Sequence, residues 1–431
     1  MPVVKLTDAE LQTKRLSLFA NNSLAFYRTP LVLERAEGVW VHGRDGRTYL
    51  DAYNNTVPVG HCNPEVVEAI CRQAATLNTH SRYIHELVLD YAEDLIGTFP
   101  EHLNKTGFTC SGTEANELAL RIAVSHTGKT GFVVANFAYH GTSMLLDDLS
   151  PFAEGTSGVN VRVLKPADVY RFGEEGVLSH FTEGLQEAID DLESKGFGFA
   201  ALLVDTVFES GGIFTHPTNF LSSAEKIVHQ SGGLFIADEV QAGFARLGET
   251  MWGFQRHGLA PDLVSMGKPM ANGLPCAAIV GRGHLIDAFY DKSHYFNTFA
   301  GGGTVISAAQ TVLNIIQRDR LTEHVQEVGG YLLFGLMQLM QQHEMVGDVR
   351  GAGLFAGIEI VSDRDAKTPD NKAAQAVING LLENGILTGS AGEFGNIVKI
   401  RPPLIFSKEN ADYLIENLDE VLTKLPTKME S

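Results

Sequence analysis

The sequence predicts an α/β protein with a large, doubly wound, mostly parallel sheet and a smaller α+β domain. From about residue 85 to residue 310, short apolar runs alternate with amphipathic stretches, which is the pattern of parallel strands joined by helices. Some of these runs are apolar throughout, as is typical of strands buried on both faces of a parallel sheet. The clearest are residues 131–135, 199–204 and 234–237.

The two ends of the chain are predicted to form the smaller domain. Thr7-Asp8-Ala9-Glu10 has the pattern of a capping box that opens a helix. Residues 31–49 alternate apolar and polar residues between glycine turns, as in a small antiparallel hairpin. We therefore assign residues 1–60 and 321–431 to the small domain, and residues 61–320 to the large domain.

The C-terminal segment is predicted to contain strands and a helix. Residues 350–357 indicate a turn that leads into a strand at 358–360. A helix is expected over 372–384, with Gly385 as its C-cap. A further strand over 397–401 ends at a pair of prolines.

Composition and charge exclude several classes of partner. The chain has 431 residues, is 44% hydrophobic and 20% charged, and carries a net charge of −19. This acidic balance disfavours nucleic acid and anionic membranes as partners. No signal core and no apolar run of the ~18 residues that a membrane helix needs can be found. The cysteines have neither a CxxC spacing nor a disulfide framework, so we expect a cytoplasmic protein. They are Cys62, Cys71, Cys110 and Cys276.

Lys268 lies in a turn of small residues that follows the apolar run 261–264. Glycine and proline end the strand there, and the carboxyl end of a strand is where α/β proteins bind ligands. A lysine held among small and apolar groups can lose its proton and attack a carbonyl carbon. The alternative is a solvated loop lysine, because exposure is usual for this residue type.

Asp238 and Glu239 follow a second buried strand and are expected at the same edge of the sheet as Lys268. An aspartate at this place could hold a metal, pair with an arginine or with a protonated ring nitrogen, or cap a helix. No histidine or further acid lies at metal-ligand spacing, which disfavours a metal. Pairing with a pyridinium nitrogen is the arrangement found with pyridoxal phosphate.

Two further motifs follow strands at this edge. Ser111-Gly112-Thr113 opens a helix whose apolar residues recur at helical spacing, and a helix N-terminus suits a phosphate group. The same three residues also fit an ordinary helix cap. Tyr139 follows the strand at 131–135, where its ring would either stack on a flat ligand or fill a gap.

These motifs, in this order, resemble the class III (omega) aminotransferase family of fold-type I pyridoxal phosphate enzymes. The resemblance covers most of the chain, from Gly38-Val39-Trp40-Val41 to Arg401-Pro402-Pro403-Leu404. Its specific features are SGTEAN from Ser111, AYHG from Ala138, ADEVQ from Ala237, and a lysine thirty positions after Asp238.

The resemblance implies a role around the cofactor ring for five residues. Lys268 would bind pyridoxal phosphate covalently, and Asp238 would pair with its ring nitrogen. Val240 would pack on the ring, and Gln241 would reach its hydroxyl group. Tyr139 would stack on the opposite face.

The resemblance also implies how the cofactor phosphate is bound. Ser111, Gly112 and Thr113 would hold it from one subunit. Thr298 resembles the threonine that such enzymes donate to the phosphate of the partner subunit, which implies a homodimer or a dimer of dimers.

Two positions depart from the α-amino-acid transaminases of this family. Those enzymes bind the substrate carboxylate with an arginine that precedes a Pro-Pro pair, and a glutamate swings to shield that arginine. Here Lys399 stands at the arginine position and Ser210 at the glutamate position. Glu209 is one residue away, and this shift is expected to point it elsewhere. The changes disfavour ordinary α-amino-acid transamination.

Other stretches resemble the ethanolamine-phosphate phospho-lyase branch of the family. They are residues 54–61, 77–82 and 399–403. The substrate of that branch has no α-carboxylate but carries a phosphate dianion, which prefers Arg or Lys. Lys399 and Arg401 lie on the same face of a strand by alternation, and Arg82 lies in a polar turn. All three are candidate phosphate ligands, and each also fits a solvated surface cation.

Three functions therefore remain open from the sequence. The first is a lyase that converts O-phosphoethanolamine into acetaldehyde, ammonia and phosphate. The second is a transaminase that moves an amino group from an amine to a keto acid or aldehyde. The third is a cofactor-binding protein without catalysis, which the intact Lys268, Asp238 and Gln241 disfavour.

Overall fold

A computed structural model of the protein describes residues 6–19, 27–151, 157–218 and 220–425. Its helices are α1 (Asp8–Leu18), α2 (Pro64–Thr76), α3 (Glu86–Ile96), α4 (Gly112–Thr127), α5 (Met144–Asp148), α6 (Val169–Phe181), α7 (Glu183–Ser194), α8 (Phe220–Gln230), α9 (Gly253–Arg256), α10 (Gly283–Tyr290), α11 (Gly303–Arg318), α12 (Leu321–Gln342), α13 (Asn371–Glu383) and α14 (Lys408–Lys424). Its strands are β1 (Leu33–Glu37), β2 (Trp40–Gly43), β3 (Thr48–Asp51), β4 (Lys105–Thr109), β5 (Gly131–Ala135), β6 (Val161–Leu164), β7 (Phe199–Asp205), β8 (Leu234–Asp238), β9 (Leu263–Met266), β10 (Ala277–Gly281), β11 (Val346–Ala352), β12 (Phe355–Asp363), β13 (Thr368–Pro369), β14 (Ile386–Leu387), β15 (Gly389–Ala391) and β16 (Ile397–Ile400).

The large sheet has the order β4-β10-β9-β8-β7-β5-β6. Strands β6, β5, β7, β8 and β9 pair in parallel, and β10 is antiparallel to both of its neighbours. β5 and β8 are buried along their whole length, which explains why their sequences are continuous apolar runs. The predicted α/β fold with a mostly parallel, doubly wound sheet is confirmed.

Helix α4 packs against β9 and β10 of this sheet. The five apolar residues that the sequence places on one helix face are all buried: Ala115, Leu118, Ala119, Ile122 and Ala123. Because that face is fixed against the sheet, the N-terminus of α4 is held in place at the edge of the sheet where β5, β7, β8 and β9 end.

Two smaller sheets contain the remaining paired strands. One has the order β1-β2-β3-β14, and the other has the order β11-β12-β16-β15, with β13 paired to β12. β14 lies parallel to β3, so a strand from the C-terminal part of the chain completes the N-terminal sheet. The domain boundaries at residues 60 and 320 stay predictions.

Local predictions near both termini have mixed outcomes. The capping box is present, because the backbone N–H of Thr7 donates to Glu10 and the backbone N–H of Glu10 donates to Thr7 Oγ1. Asn384 is the C-cap of α13 and Gly385 is the next residue, with φ of 81°. The predicted C-cap was therefore one residue too late.

The predicted turn over 350–357 was also wrong in its extent. Strands β11 and β12 form an antiparallel hairpin that runs through most of this segment, with Ala352 paired to Phe355. Gly353 has φ of 53°, and a Cβ there would lie 2.5 Å from the backbone of Leu247, so the turn requires glycine. In the part of the chain that the structure describes, no helix combines the length and apolar character needed to cross a membrane.

Candidate active site

The polar residues predicted at one sheet edge do meet there. Asp238 is the last residue of β8 and lies in register with Asp205 of β7 on one side and with Ser265 of β9 on the other. Lys268 follows the end of β9 by two residues. A cavity of about 330 Å³ opens at this edge. It is lined by Thr56, Cys110, Ser111, Gly112, Thr113, Asn116, Tyr139, His140, Gly141, Asp205, Asp238, Val240, Gln241, Lys268, Gly273, Leu274, Pro275 and Cys276.

Lys268 is half-buried in the wall of this cavity. Burial disfavours the charged ammonium and lowers the pKa of Lys268, although the nearby Glu209 carboxylate opposes part of the shift. A lowered pKa increases the fraction of Lys268 that is unprotonated, and the unprotonated amine is the form that attacks a carbonyl carbon.

Asp238 is 4% exposed and is held by three donors. Asn116 Nδ2 donates to Asp238 Oδ2 at 2.8 Å, His140 Nδ1 donates to the same oxygen at 2.7 Å, and the backbone N–H of Val240 donates to Oδ1 at 3.0 Å. Because a carboxylate only accepts hydrogen bonds, this contact assigns the proton of the His140 ring to Nδ1. The three donors fix the carboxylate in place.

Asn116 and His140 were not predicted as site residues. Asn116 lies on the buried face of α4, where Ser265 donates to its Oδ1 and its own Nδ2 also donates to the carbonyl oxygen of His140. Asn116 lies in the SGTEAN motif and His140 in the AYHG motif, so the sequence did indicate that both lie near the site. Their contact with Asp238 depends on the tertiary packing of α4 against the sheet.

The N-terminus of α4 also opens onto the cavity. Ser111 caps the helix by accepting from the backbone N–H of Glu114 at 3.2 Å. The N–H groups of Gly112 and Thr113 lie in the first turn, where they have no partner within the helix. A Cβ at residue 112 would lie 2.9 Å from Val240 Cγ2, so only glycine allows the helix to approach the cavity so closely.

Gln241 connects the cavity to a polar cluster behind it. Its Oε1 accepts from Asn55 Nδ2 at 2.9 Å and from Arg401 Nη1. Since the amide oxygen is occupied, the NH₂ group of Gln241 remains to donate toward the cavity. That donor suits an anionic or phenolic oxygen, as the implied contact with the cofactor hydroxyl requires.

Glu209, Lys399 and Arg401 form a buried ion cluster beside Gln241. Lys399 Nζ lies 2.5 Å from Glu209 Oε1, and Arg401 Nη1 lies 3.3 Å from the same oxygen. The three residues are 5%, 7% and 4% exposed. The predicted common face for the two cations is confirmed. The prediction that each could be a solvated surface cation is wrong.

The prediction that Glu209 points elsewhere is also wrong. Phe208 has φ of 50°, in the left-handed region that non-glycine residues seldom adopt, and this turns the backbone just before Glu209. The backbone N–H of Glu209 then donates to Asp205 Oδ2 at 2.7 Å, and Ser210 Oγ donates to Glu209 Oε2 at 2.9 Å. A local backbone reversal thus compensates for the shift of one residue.

Arg82 and Thr298 do not line the cavity of their own chain. Both are exposed, and the Arg82 guanidinium lies 4.0 Å from the centre of the Phe296 ring. Ser81 Oγ donates to the carbonyl oxygen of Asn297 at 3.4 Å, so the two segments lie side by side on the surface. Tyr139, by contrast, lines the cavity and is 45% exposed.

The residues at the cavity fit pyridoxal phosphate. A lysine, a buried carboxylate for a ring nitrogen and a helix N-terminus for a phosphate surround one space, with Val240 and Tyr139 available for the flat ring. Among residues 6–19, 27–151, 157–218 and 220–425, no group of three His, Cys, Asp or Glu side chains is arranged to hold a metal ion. This fold and this donor set define a pyridoxal phosphate-dependent enzyme of fold type I.

Comparisons with known proteins give the family. Residues 23–422 match the model of the aminotransferase class-III family, and the chain belongs to that family, whose members depend on pyridoxal phosphate. The predicted cofactor is thereby confirmed.

Some individual relatives are named as aminotransferases and others as phospho-lyases. The chain is 36% identical to the alanine–glyoxylate aminotransferase 2-like protein of Drosophila melanogaster, over 92% of this chain and 84% of the relative. It is 35% identical to ethanolamine-phosphate phospho-lyase homolog 1 of Caenorhabditis elegans, over 96% of this chain and 93% of the relative. A solved structure of an Arthrobacter phospholyase in complex with phosphoethanolamine superposes with a TM-score of 0.93 and 38% identity, over 96% of this chain and 100% of that one.

Proposed function

We propose that the protein is a phospho-lyase that eliminates phosphate from a small phosphorylated amine, with O-phosphoethanolamine as the substrate. The observation that carries the proposal is the pair of buried cations, Lys399 and Arg401, next to Gln241 at the cavity. Both are close enough to Lys268 to influence its pKa. The resemblance to the Arthrobacter phospholyase, which was solved with phosphoethanolamine, supports the same substrate class.

Two adjacent cations suit a substrate phosphate better than they suit the single carboxylate of an α-amino acid. A dianionic phosphate gains most from two converging positive charges, and charged hydrogen bonds of this kind are the strong ones. Lys399 replaces the family arginine and Ser210 replaces the shielding glutamate. Because O-phosphoethanolamine has no α-carboxylate, it loses no contact through these replacements.

Different residues of this chain would serve different steps of the reaction. When bound, pyridoxal phosphate supplies an electron sink for the carbon next to the substrate nitrogen. Lys268 would remove the proton from that carbon, and Asp238 would keep a proton on the ring nitrogen that it faces. Lys399 and Arg401 would hold the substrate phosphate and stabilise the charge that develops as the carbon–oxygen bond breaks. The organic product would then take up water to give acetaldehyde and ammonia.

We also propose that two subunits share each active site. Arg82 and Thr298 lie together on the surface, outside the cavity of their own chain. Large apolar side chains nearby are exposed, among them Tyr83 at 67%, Ile84 at 92% and Phe299 at 78%. A patch of this kind is typical of an interface between subunits. In a homodimer it would bring Thr298 to the partner's cofactor phosphate and Arg82 to the edge of the partner's cavity.

Incubation of the cofactor-loaded protein with phosphoethanolamine tests the proposed function. A lyase releases phosphate and acetaldehyde in equal amounts and keeps its cofactor as pyridoxal phosphate. A transaminase, the function named for the Drosophila relative, would release no phosphate and would convert the cofactor to pyridoxamine phosphate with simple amines.

A further inference from the structure

The side-chain oxygen of Gln241 accepts hydrogen bonds from two donors of different charge. Nδ2 of Asn55, a neutral amide, donates to Gln241 Oε1 at 2.9 Å, and Nη1 of the Arg401 guanidinium donates to the same oxygen. Both donors are buried, with Asn55 2% exposed and Arg401 4% exposed. One amide oxygen therefore connects a neutral donor with a cation of the proposed phosphate site.

The chemistry of arginine determines which way the Gln241 amide faces. A guanidinium only donates hydrogen bonds, so Gln241 must turn its oxygen toward Arg401. Asn55 faces the same oxygen and must present its NH₂ group to it. The NH₂ group of Gln241 is then directed to the cavity, which Gln241 lines. A half-turn of the amide would instead direct its carbonyl oxygen to the cavity, where it would repel the cofactor's phenolic oxygen.

The loop that carries Asn55 is fixed to neighbouring segments. At its two ends, Asp51 Oδ2 lies 2.6 Å from His61 Nε2. The side chain of Asn272, in the turn that follows the cofactor lysine, donates to the carbonyl oxygen of Gly60 at 2.8 Å. These contacts hold the loop in place relative to that turn.

The two donors respond differently to an anion. Arg401 is charged, and a charged hydrogen bond to a phosphate is stronger than one to a neutral amide oxygen. A substrate phosphate would therefore draw the guanidinium from Gln241 to itself. Asn55 is neutral and gains much less from a phosphate, so its bond to Gln241 would remain.

We propose that Asn55 is a positioning residue, which holds the NH₂ group of Gln241 toward the cofactor hydroxyl while Arg401 is bound to the substrate phosphate. This inference rests on the proposed function, because it takes Arg401 as a phosphate ligand. In the free enzyme either donor is enough to orient Gln241. In the substrate complex the orientation depends on Asn55.

The absorption spectrum of the bound cofactor tests this orientation without turnover. A donor to the phenolic oxygen stabilises its ionised form, so loss of the donor raises the midpoint pH of the spectral change. Wild type and Asn55→Leu, both loaded with cofactor, are titrated with and without sulfate as the anion probe. Leucine is close to asparagine in shape and has no donor. The cofactor's own phosphate excludes sulfate from the N-terminus of α4.

The effect of Asn55→Leu should appear only with the anion. Without sulfate, the midpoint should lie within about 0.2 pH units of wild type, because Arg401 still orients Gln241. Saturating sulfate should raise the wild-type midpoint, because a nearby dianion favours the protonated form. With sulfate, the Asn55→Leu midpoint should lie at least about 0.5 pH units above that of wild type.

Two further variants separate this role from a general effect on the loop. Asn54→Leu is the matched control, because Asn54 is the neighbouring residue and its amide donates to Asp51. It should follow wild type with and without sulfate. In a Gln241→Leu background, Asn55→Leu should change neither midpoint, because the effect of Asn55 passes through Gln241.

The kinetic effect should fall on kcat. Arg401 still binds the phosphate in Asn55→Leu, so KM for phosphoethanolamine should stay within about twofold of wild type, while kcat falls about three- to tenfold. A fall in kcat/KM that arises from KM alone would contradict the role of Asn55. A protein that shows the expected midpoints and releases no phosphate would lose the proposed lyase function and keep Asn55 as the residue that orients Gln241.

Several spectroscopic results would overturn the proposal. It fails if Asn55→Leu shifts the midpoint equally with and without sulfate, if the shift persists in the Gln241→Leu background, or if Asn54→Leu reproduces it. It also fails if sulfate leaves the wild-type spectrum unchanged, because Arg401 then does not respond to an anion. Asn55→Ala, which also lacks the donor, takes the place of Asn55→Leu if leucine prevents folding, and the same midpoints are expected.

Discussion

Arg401→Met is the most informative single substitution at the proposed phosphate site. Arg401 is 4% exposed, and its Nη1 contacts both Glu209 and Gln241. Its guanidinium carbon also lies 5.3 Å from the centre of the Tyr53 ring and 5.6 Å from that of Phe355. Methionine keeps an unbranched apolar side chain near both rings and removes the charge, so the variant tests charge with little loss of packing.

The expected loss follows from the bonds that Arg401 would give to a substrate phosphate. A hydrogen bond to a charged group contributes about 1.5–3 kcal/mol. Since ~1.4 kcal/mol corresponds to a factor of ten, kcat/KM for phosphoethanolamine should fall about 10- to 150-fold. Arg401 already contacts Glu209 in the free protein, so a bond to the phosphate would replace part of an existing ion pair and the net gain is smaller. We therefore expect the fall to lie in the lower half of that range.

The assay compares kcat/KM for phosphoethanolamine with spectroscopic binding of ethanolamine to the cofactor. Ethanolamine lacks the phosphate, so its binding should stay close to wild type. Arg72→Met, at an exposed arginine of α2, is the matched control and should change neither quantity. Unchanged kcat/KM in Arg401→Met, or equal losses for both amines, would refute the assignment of Arg401 to the phosphate.

Further predictions concern the cofactor, the subunit interface and stability. Lys268→Ala should keep its circular dichroism spectrum and lose turnover. In wild type, borohydride should fix the cofactor covalently to Lys268, and an adduct on another lysine would contradict this role. Thr298→Ala should bind the cofactor more weakly, and mixing it with Lys268→Ala should restore some activity at hybrid sites, whereas a fully active monomer in dilute sedimentation runs would exclude shared sites. Burial raises the pKa of Glu239 to about 8 and that of Asp205 to about 7, so the folded state keeps protons that the unfolded state has released. The free energy of unfolding should therefore fall as the pH rises from 6.5 to 8, and Glu239→Gln should reduce that slope; an unchanged slope would contradict the assignment.

The residues at strand ends could be predicted because their local sequence fixes their position. Lys268 and Asp238 each follow an apolar run, and parallel strands place their carboxyl ends at one edge of the sheet. Ser111, Gly112 and Thr113 could be placed for a similar reason, since helical spacing defines where α4 begins. The common face of Lys399 and Arg401 follows from alternation along a strand.

The second layer of the site could not be predicted in the same way. Glu209 reaches the two cations only because Phe208 adopts a left-handed backbone conformation, which nothing in its residue type indicates. Asn116 and His140 hold Asp238 through contacts between segments far apart in the sequence. Arg82 lies outside the cavity of its own chain, so a role in catalysis requires a second subunit, which the sequence pattern around Arg82 does not indicate.

The products formed from phosphoethanolamine distinguish a phospho-lyase from a transaminase. Purified, cofactor-loaded protein is mixed with the substrate, and phosphate, acetaldehyde and the cofactor spectrum are followed together. We expect phosphate and acetaldehyde in equal amounts over many turnovers, with the pyridoxal phosphate spectrum restored at the end. Conversion of the cofactor to pyridoxamine phosphate without release of phosphate would contradict it.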